Sequence, residues 1–230
     1  MKRLILKKLV IISQKNEEAR TIEFDDRLTV ITGDNPSGET KNRTGKSLVM
    51  KSIYYSLGAK LKKYTTNWDS LQISTIVTFL YDGIKYELYR DRNSFILRSD
   101  DEVKFFASIS ELKKFYVDFF EFYLKMPIKR DDENSVYAYP GAIFMPFYID
   151  QDKGWSGSWD SFSDVFTGKW KPEILLYHMG VRTREYYNLL DEKVELENEQ
   201  KENKRQLKTY EAVIKKHTEK YKDYLDLNLN

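Results

Sequence analysis

Alternating apolar and polar positions near the N-terminus predict a pair of β-strands. RLILKKLVIIS and the shorter ARTIEF place apolar residues at about every second position, and the polar stretch SQKNEE separates them as a turn. A third apolar run, RLTVITG (Arg27–Gly33), is rich in β-branched residues and ends in glycine. We therefore expect a third, buried strand that leads into a loop.

The apolar spacing changes to that of a helix behind this loop. From Ser47 to Leu57 the apolar residues fall on one helical face, and Gly58 follows where helices commonly end. The polar stretch Gly33–Ser47 is thus predicted to connect a buried strand to an amphipathic helix.

An antiparallel meander and a second helix are predicted further along the chain. Residues 73–98 alternate with a period of two, interrupted by the turn sequences DG and DRNS. SISELKKFYVDFFEFYL follows with helical spacing, and either Ser108 or Ser110 is placed to cap it. We interpret KMPIKRDDENSVYAYPG as a loop and AIFMPFYID as a short apolar strand that ends before Gln151.

The chain is predicted to be helical from about Lys171 to its end. Its tail carries a weak heptad pattern, in which about half of the expected seam positions are apolar or aromatic. This pattern is typical of the start of a coiled coil, and a solvated single helix is the alternative. We expect residues 1–180 to form one lobe and residues 181–230 to form this helix.

Composition narrows the class of protein. The 230 residues include 38 basic and 36 acidic side chains, so the net charge of +2 gives little argument for any partner. There is no cysteine, which excludes disulfides and thiolate metal sites, and two histidines are too few for a histidine metal site. No stretch approaches the roughly 20 apolar residues of a membrane span. We expect a cytoplasmic protein without a membrane partner.

The polar stretch GDNPSGETKNRTGKS ends like a phosphate-binding loop. The pattern G-x-x-x-x-G-K-[ST] allows four residues between its glycines, whereas eleven separate Gly33 from Gly45. Removing the seven residues Asn35–Lys41 leaves GDNRTGKS, which restores the pattern. Since a strand before and a helix after are the context that such a loop requires, we interpret these seven residues as an insertion. A chance GKS in a polar linker is the alternative.

A loop of this kind binds phosphate through inward-facing backbone N–H groups and the positive end of the following helix. Lys46 would contact the β- and γ-phosphate oxygens, and the Ser47 hydroxyl would bind Mg²⁺. Arg43 either contacts the γ-phosphate or faces solvent. The predicted nucleotide-binding residues are Gly33, Asn42, Arg43, Thr44, Gly45, Lys46, Ser47 and Leu48.

With these features in this order, the chain resembles the N-terminal lobe of SMC-like ABC ATPases, the group of the SMC proteins, RecN and the double-strand-break repair ATPases. The resemblance implies an α/β fold: a P-loop ABC-type ATPase half-head with mixed and antiparallel sheet, followed by the start of a coiled-coil arm. It also implies that ATP and Mg²⁺ are the cofactors, that Lys46 and Gln151 are catalytic, and that Ser47 and Gln151 bind the metal. MPFYIDQDKGWSGSW and NRTGKS look closest to the SMC-like ATPases of anti-phage defence systems such as Lamassu.

Two motifs of this group are not found in the sequence. There is no convincing signature motif or Walker B strand, and NLLDEK (Asn188–Lys193) imitates Walker B only on a charged helix. The resemblance therefore implies three partners: a C-terminal half-head on the same or another polypeptide, a second head in a homodimer, and companion defence or repair subunits. We expect ATP hydrolysis by the complete head dimer and almost none by this chain alone. DNA is a further expected partner, with the basic clusters Lys60–Lys63 and Lys125–Arg130 as candidate contacts.

Two other functions remain open. A P-loop small-molecule kinase or transferase would use the same loop. A non-catalytic interaction module would have a degenerate loop and would bind a partner through its helix. The DNA substrate, the pathway and the purpose of the insertion Asn35–Lys41 do not follow from the sequence.

Overall fold

A six-stranded antiparallel sheet forms the centre of Met1–Met179, the first of two units in the computed structural model; the second is Gly180–Asn230. The structure describes residues 2–32, 45–61, 71–127, 135–149, 159, 161–163 and 170–226. The strands are β1 (Leu4–Ser13), β2 (Glu18–Glu23), β3 (Ile73–Tyr81), β4 (Ile84–Asp91), β5 (Ser94–Arg98) and β6 (Val103–Phe106). Their order in the sheet is β2-β1-β3-β4-β5-β6. Every pairing among the described strands is antiparallel, so the expected mixed sheet has no counterpart there.

One face of this sheet is the core of the unit. Leu9, Val77, Leu88 and Leu97 lie directly opposite one another on four neighbouring strands, and all four are buried. The period of two in the sequence places these residues on one face. The turn between β3 and β4 has positive φ at Asp82 (52°) and Gly83 (83°), the requirement of the tight hairpin turn that DG predicts.

Two helices that the sequence predicts cover this face. Helix α1 (Lys46–Ser56) contacts β1, β3 and β4, and α2 (Ile109–Phe119) contacts β5 and β6. Of the two candidate caps of α2, Ser108 is the one used: its hydroxyl accepts a hydrogen bond from the Glu111 N–H at 3.3 Å. The Glu111 carboxylate accepts in turn from the Ala107 N–H at 2.9 Å, one residue before the N-cap N–H that a capping box uses, so each of the two side chains satisfies one backbone donor at the start of α2.

The segment after α2 differs from the prediction. Two short antiparallel strands, β7 (Lys125–Pro127) and β8 (Ser135–Tyr137), lie within the stretch that we interpreted as a loop. The expected apolar strand AIFMPFYID is instead largely helical, with α3 (Pro140–Phe144) and a 3₁₀ turn (Met145–Phe147). The prolines explain the difference, because Pro140 stands in the first turn of α3, where its fixed φ favours helix and its missing N–H costs nothing.

The expected strand Arg27–Gly33 is also absent from its described part. Residues 28–32 are in no strand or helix, and Leu28 and Val30 are 75% and 71% exposed. A strand forms only where a neighbouring strand takes up its backbone hydrogen bonds, and no described strand pairs with these residues.

The predicted C-terminal helix is present in two pieces. Helix α4 (Trp170–His178) belongs to the first unit, and α5 (Arg184–Asp226) makes up most of the second. Between them Gly180 has a φ of +73°, a conformation that interrupts a helix. Along α5 many large apolar side chains are exposed, including Leu189, Leu196, Leu207, Tyr210, Ile214 and Tyr221. Among the described helices, none combines the length and the apolar character of a membrane-spanning segment.

Candidate phosphate-binding site

The start of α1 has the backbone geometry that a phosphate-binding loop requires at its end. Gly45 precedes the helix with φ 78° and ψ 2°, a left-handed conformation that favours glycine. An added Cβ at Gly45 would meet no atom of the described residues within 4 Å. No side chain caps the helix from Gly45, and no acidic residue lies in its first turn. An approaching anion therefore meets the positive end of α1 without competition from a carboxylate of that turn.

Lys46 and Ser47 line a cavity of about 300 Å³ at this helix end. Among the described residues, Met50 of α1 and two other parts of the chain also line it. Thr29 and Ile31 come from the run that enters the loop, and Tyr148 and Ile149 come from the run that leads to Gln151. The volume is at the lower end of the range, about 300–1,000 Å³, of small-molecule sites. The cavity thus lies where three segments of the predicted site meet: the run that enters the loop, the start of α1 that follows the loop, and the run that leads to Gln151.

The structure brings together part of the predicted site. Lys46 and Ser47 share the cavity, Gly45 is adjacent to them, and the Leu48 side chain is exposed on the helix surface without lining the cavity. The other predicted residues lie outside the described part of the chain: Gly33, Asn42, Arg43, Thr44 and Gln151.

The opposite end of α1 is fixed by two side chains that the sequence prediction missed. The Arg90 guanidinium on β4 donates to the carbonyl of Tyr55 and, at 3.4 Å, to that of Ala59. The Tyr116 hydroxyl on α2 donates to the carbonyl of Leu57 at 3.2 Å, and burial raises the pKa of Tyr116 so that it remains a donor. A cation next to the last carbonyls of a helix is electrostatically favourable. Arg90 and Tyr116 therefore hold α1 in place from the end that is remote from the cavity.

A signal for Arg90 is present in the sequence. Tyr86 and Leu88 point inward on β4, and Arg90 continues their period of two, so a basic residue was bound to enter the core. Its guanidinium carbon lies 3.6 Å from the ring centroid of Tyr55, a cation–π contact inside the fold. Tyr116 gives no comparable signal, because an aromatic residue on the apolar face of α2 predicts packing and not a hydrogen bond.

The residues at the cavity fit a magnesium nucleotide. The Lys46 ammonium and the backbone N–H groups at the start of α1 suit phosphate oxygens, and the Ser47 hydroxyl is an oxygen ligand of the kind that Mg²⁺ takes. Among the described residues, no group of three or more His, Asp or Glu side chains could hold a metal ion by itself.

Comparison with known proteins finds a family match over most of the chain and two similar relatives. The model of the AAA domain family matches residues 3–227. The chain is 29% identical over 202 residues to Lamassu protein LmuB of Bacillus cereus (strain VD014), a match that covers 86% of this chain and 34% of that relative. It is 32% identical over 148 residues to Lamassu protein LmuB of Bacillus sp. (strain NIO-1130), covering 64% of this chain and 24% of the relative. The matched parts thus span about a third or less of the length of these two relatives.

Proposed function

The chain belongs to the AAA domain family, and we propose that it is the N-terminal ATP-binding lobe of an SMC-like ATPase head. The observation that carries the proposal is the cavity in which Lys46 and Ser47, at the start of α1, meet Tyr148 and Ile149. The similarity to Lamassu proteins LmuB supports the SMC-like, anti-phage type within the family.

In this proposal each residue at the start of α1 has a separate role. The backbone N–H groups of residues 44–48 donate to the phosphates, and Gly45 allows the main chain to approach them closely. The Lys46 ammonium binds the β- and γ-phosphate oxygens, and the Ser47 hydroxyl binds Mg²⁺, which when present offsets the negative charge of those oxygens. Gln151 follows Ile149 by two residues, a distance of at most about 7 Å along the chain. That tether supports Gln151 as the second metal ligand and as the residue that orients the attacking water.

We propose that a C-terminal half completes this head. Leu28 and Val30 are exposed, while Thr29 and Ile31, between and after them, line cavities on the other side of the same run. One of these cavities, of about 710 Å³, is lined mostly by apolar side chains of β1, α1 and α3. An extended run that is apolar on both faces is typical of an inner strand of a sheet. A strand of the missing half would take up the backbone hydrogen bonds of this run, and the rest of that half would bury Leu28 and Val30.

Hydrolysis then requires more than this chain. In the complete assembly two heads enclose two ATP molecules, and the second head contributes the signature motif. The general base belongs to the Walker B strand, which this chain does not provide, since Asp191 and Glu192 lie on α5. The chain alone should bind Mg-ATP weakly and turn it over barely. The exposed apolar residues of α5 support its proposed role as the start of a coiled coil.

DNA and companion defence subunits are proposed as the further partners of the assembly. The support for a defence role is the similarity to LmuB. For DNA it is the family resemblance together with the two basic clusters, of which Lys60 and Lys125 are described; Lys60 is exposed, and the Lys125 ammonium lies 4.9 Å from the ring centroid of Tyr137. Lysines at such positions would contact the phosphate backbone without reading sequence.

Calorimetric titration of Mg-ATP into the chain tests the nucleotide site. We expect binding by the wild-type chain, loss of binding in Lys46→Ala, and unchanged binding in Lys60→Ala, which removes an equal charge beyond the other end of α1. Equal affinities in the two variants would contradict the site. If the wild-type chain showed no binding of Mg-ATP, both alone and mixed with the C-terminal part of an LmuB relative, the proposed ATP-binding function would be wrong.

A further inference from the structure

Tyr54 joins two walls of the cavity. It lies on α1, about two helical turns beyond Lys46, and its hydroxyl donates a hydrogen bond to the backbone carbonyl of Phe147 at 3.1 Å. Phe147 is the last residue of the 3₁₀ turn, and the next two residues, Tyr148 and Ile149, line the cavity opposite Lys46. The bond therefore runs from the helix that carries Lys46 and Ser47 to the segment that leads to Gln151.

The ring of Tyr54 reinforces the same connection. Its centroid lies 4.6 Å from that of Tyr148 and 5.9 Å from that of Phe144, the last residue of α3. Tyr148 is buried, so this contact fixes the main chain at the point where it reaches the cavity. Aromatic pairs at such distances add to the free energy of area burial and favour one relative orientation.

Burial keeps the hydroxyl of Tyr54 in the form that the bond needs. Removal from water raises the pKa of Tyr54 to about 12. The phenol is therefore neutral at every pH at which the protein would work, and the Phe147 carbonyl always faces a donor.

We propose that Tyr54 is a positioning residue of the phosphate site, which sets the distance between the first turn of α1 and the segment before Gln151. This inference rests on the proposed ATP-binding function. If Ser47 and Gln151 hold one Mg²⁺ between them, the distance between their segments decides how well the metal is bound. Loss of the Tyr54 hydroxyl should therefore weaken the part of ATP binding that depends on Mg²⁺ and leave the metal-independent part unchanged.

The test compares Tyr54 of α1 with Tyr116 of α2, since each hydroxyl donates a hydrogen bond to a backbone carbonyl. Tyr54→Phe removes the bond to Phe147 and keeps the ring contacts. Tyr116→Phe removes an equivalent phenol–carbonyl bond, to Leu57 at 3.2 Å, at the end remote from the cavity. ATP affinity is measured by calorimetry with Mg²⁺ and with a chelator, and urea unfolding is measured in parallel.

The expected result is a smaller affinity gain from Mg²⁺ in Tyr54→Phe, by roughly threefold to tenfold, the range that the loss of one hydrogen bond corresponds to. Tyr116→Phe should lower stability to urea but keep the wild-type gain. An unchanged gain in Tyr54→Phe, or an equal decrease in Tyr116→Phe, would overturn the inference.

Lys46→Ala separates this inference from the function on which it rests. Binding that is lost in Lys46→Ala but has the wild-type Mg²⁺ dependence in Tyr54→Phe refutes the role of Tyr54 alone. Binding that is the same in the wild type and Lys46→Ala refutes the nucleotide site and with it the role of Tyr54.

Discussion

Replacing Gly58 by alanine should destabilise the first unit more than the same replacement at Gly45 or Gly83. Gly58 follows α1 with a φ of +92°, and an added Cβ would lie 2.9 Å from Leu112 Cδ2, 3.1 Å from Ile109 Cδ1 and 3.3 Å from Pro140 Cγ. Leu112 is fully buried, so it has no space into which to retreat. The substitution thus forces a left-handed conformation on alanine and overfills the contact between α1, α2 and α3.

The two costs can be estimated separately. A residue with a Cβ pays about 1–2 kcal/mol in the left-handed region, and overpacking of a filled core costs about 1–3 kcal/mol. We expect Gly58→Ala to lower the free energy of unfolding by the sum, about 2–5 kcal/mol. Gly83→Ala is the matched control, because its φ is +83° and its added Cβ meets nothing within 4 Å. It should show the conformational cost alone.

Urea unfolding followed by near-ultraviolet circular dichroism measures both variants, since this signal reports the packing of the aromatic core. The difference between the two variants isolates the packing cost and should be about 1–3 kcal/mol. Equal destabilisation of Gly58→Ala and Gly83→Ala would refute the close approach of the three helices at Gly58.

Two further perturbations probe the surroundings of the site. Arg90→Met should lower the free energy of unfolding by about 1–3 kcal/mol, because buried carbonyls at the end of α1 lose their donor. Arg92→Met, on an exposed turn, should change the free energy of unfolding by less than about 0.5 kcal/mol. Urea midpoints of the two variants are compared, and equal values would contradict the role of Arg90 in holding α1. Burial lowers the pKa of His178 below its ordinary value, so the unfolded chain takes up a proton at a higher pH than the folded chain does. The neutral, buried imidazole therefore contributes to stability in full above about pH 6.5, and this contribution is lost as the pH falls through the folded-state pKa. The urea midpoint should therefore fall less between pH 7 and pH 5 in His178→Gln than in the wild type, and parallel pH profiles would exclude this role for the imidazole.

The parts of the fold that depend on neighbours in the sequence were predictable. The DG turn, the alternating strands around it and the helix from Lys46 follow from local patterns, and the Ser108 cap follows from residues three positions apart. The resemblance to SMC-like ATPases of the Lamassu type is confirmed by the match to the AAA domain and to LmuB. That resemblance rests on short motifs, each of which can be recognised from neighbouring residues, and on their order along the chain.

The parts that depend on distant partners were not predictable. Leu28 and Val30 have strand composition, but no described strand pairs with them, so the prediction of a buried strand was wrong for this chain. The run AIFMPFYID shows the other limit, because a short apolar run has no period that separates a strand from a buried helix; Pro140 was the signal that favoured the helix. The hydrogen bond of Tyr54 joins residues 54 and 147, and neither the sequence around Tyr54 nor that around Phe147 indicates it.

The pairing of β1 with β3 has a consequence for how freely the phosphate-binding loop can change during evolution. Together with the pairing of β1 and β2, it brings Glu23 and Ile73, the two ends of a 49-residue span, into one sheet, and the insertion Asn35–Lys41 lies within that span. Closure entropy depends on the logarithm of loop length, so lengthening this span from about 42 to about 49 residues costs only about 0.1 kcal/mol. Insertions of this size therefore have almost no effect on folding stability, and related proteins can gain or lose them by genetic drift. Where relatives retain a particular loop length, the constraint comes from the bound ligand or from a partner and not from folding stability.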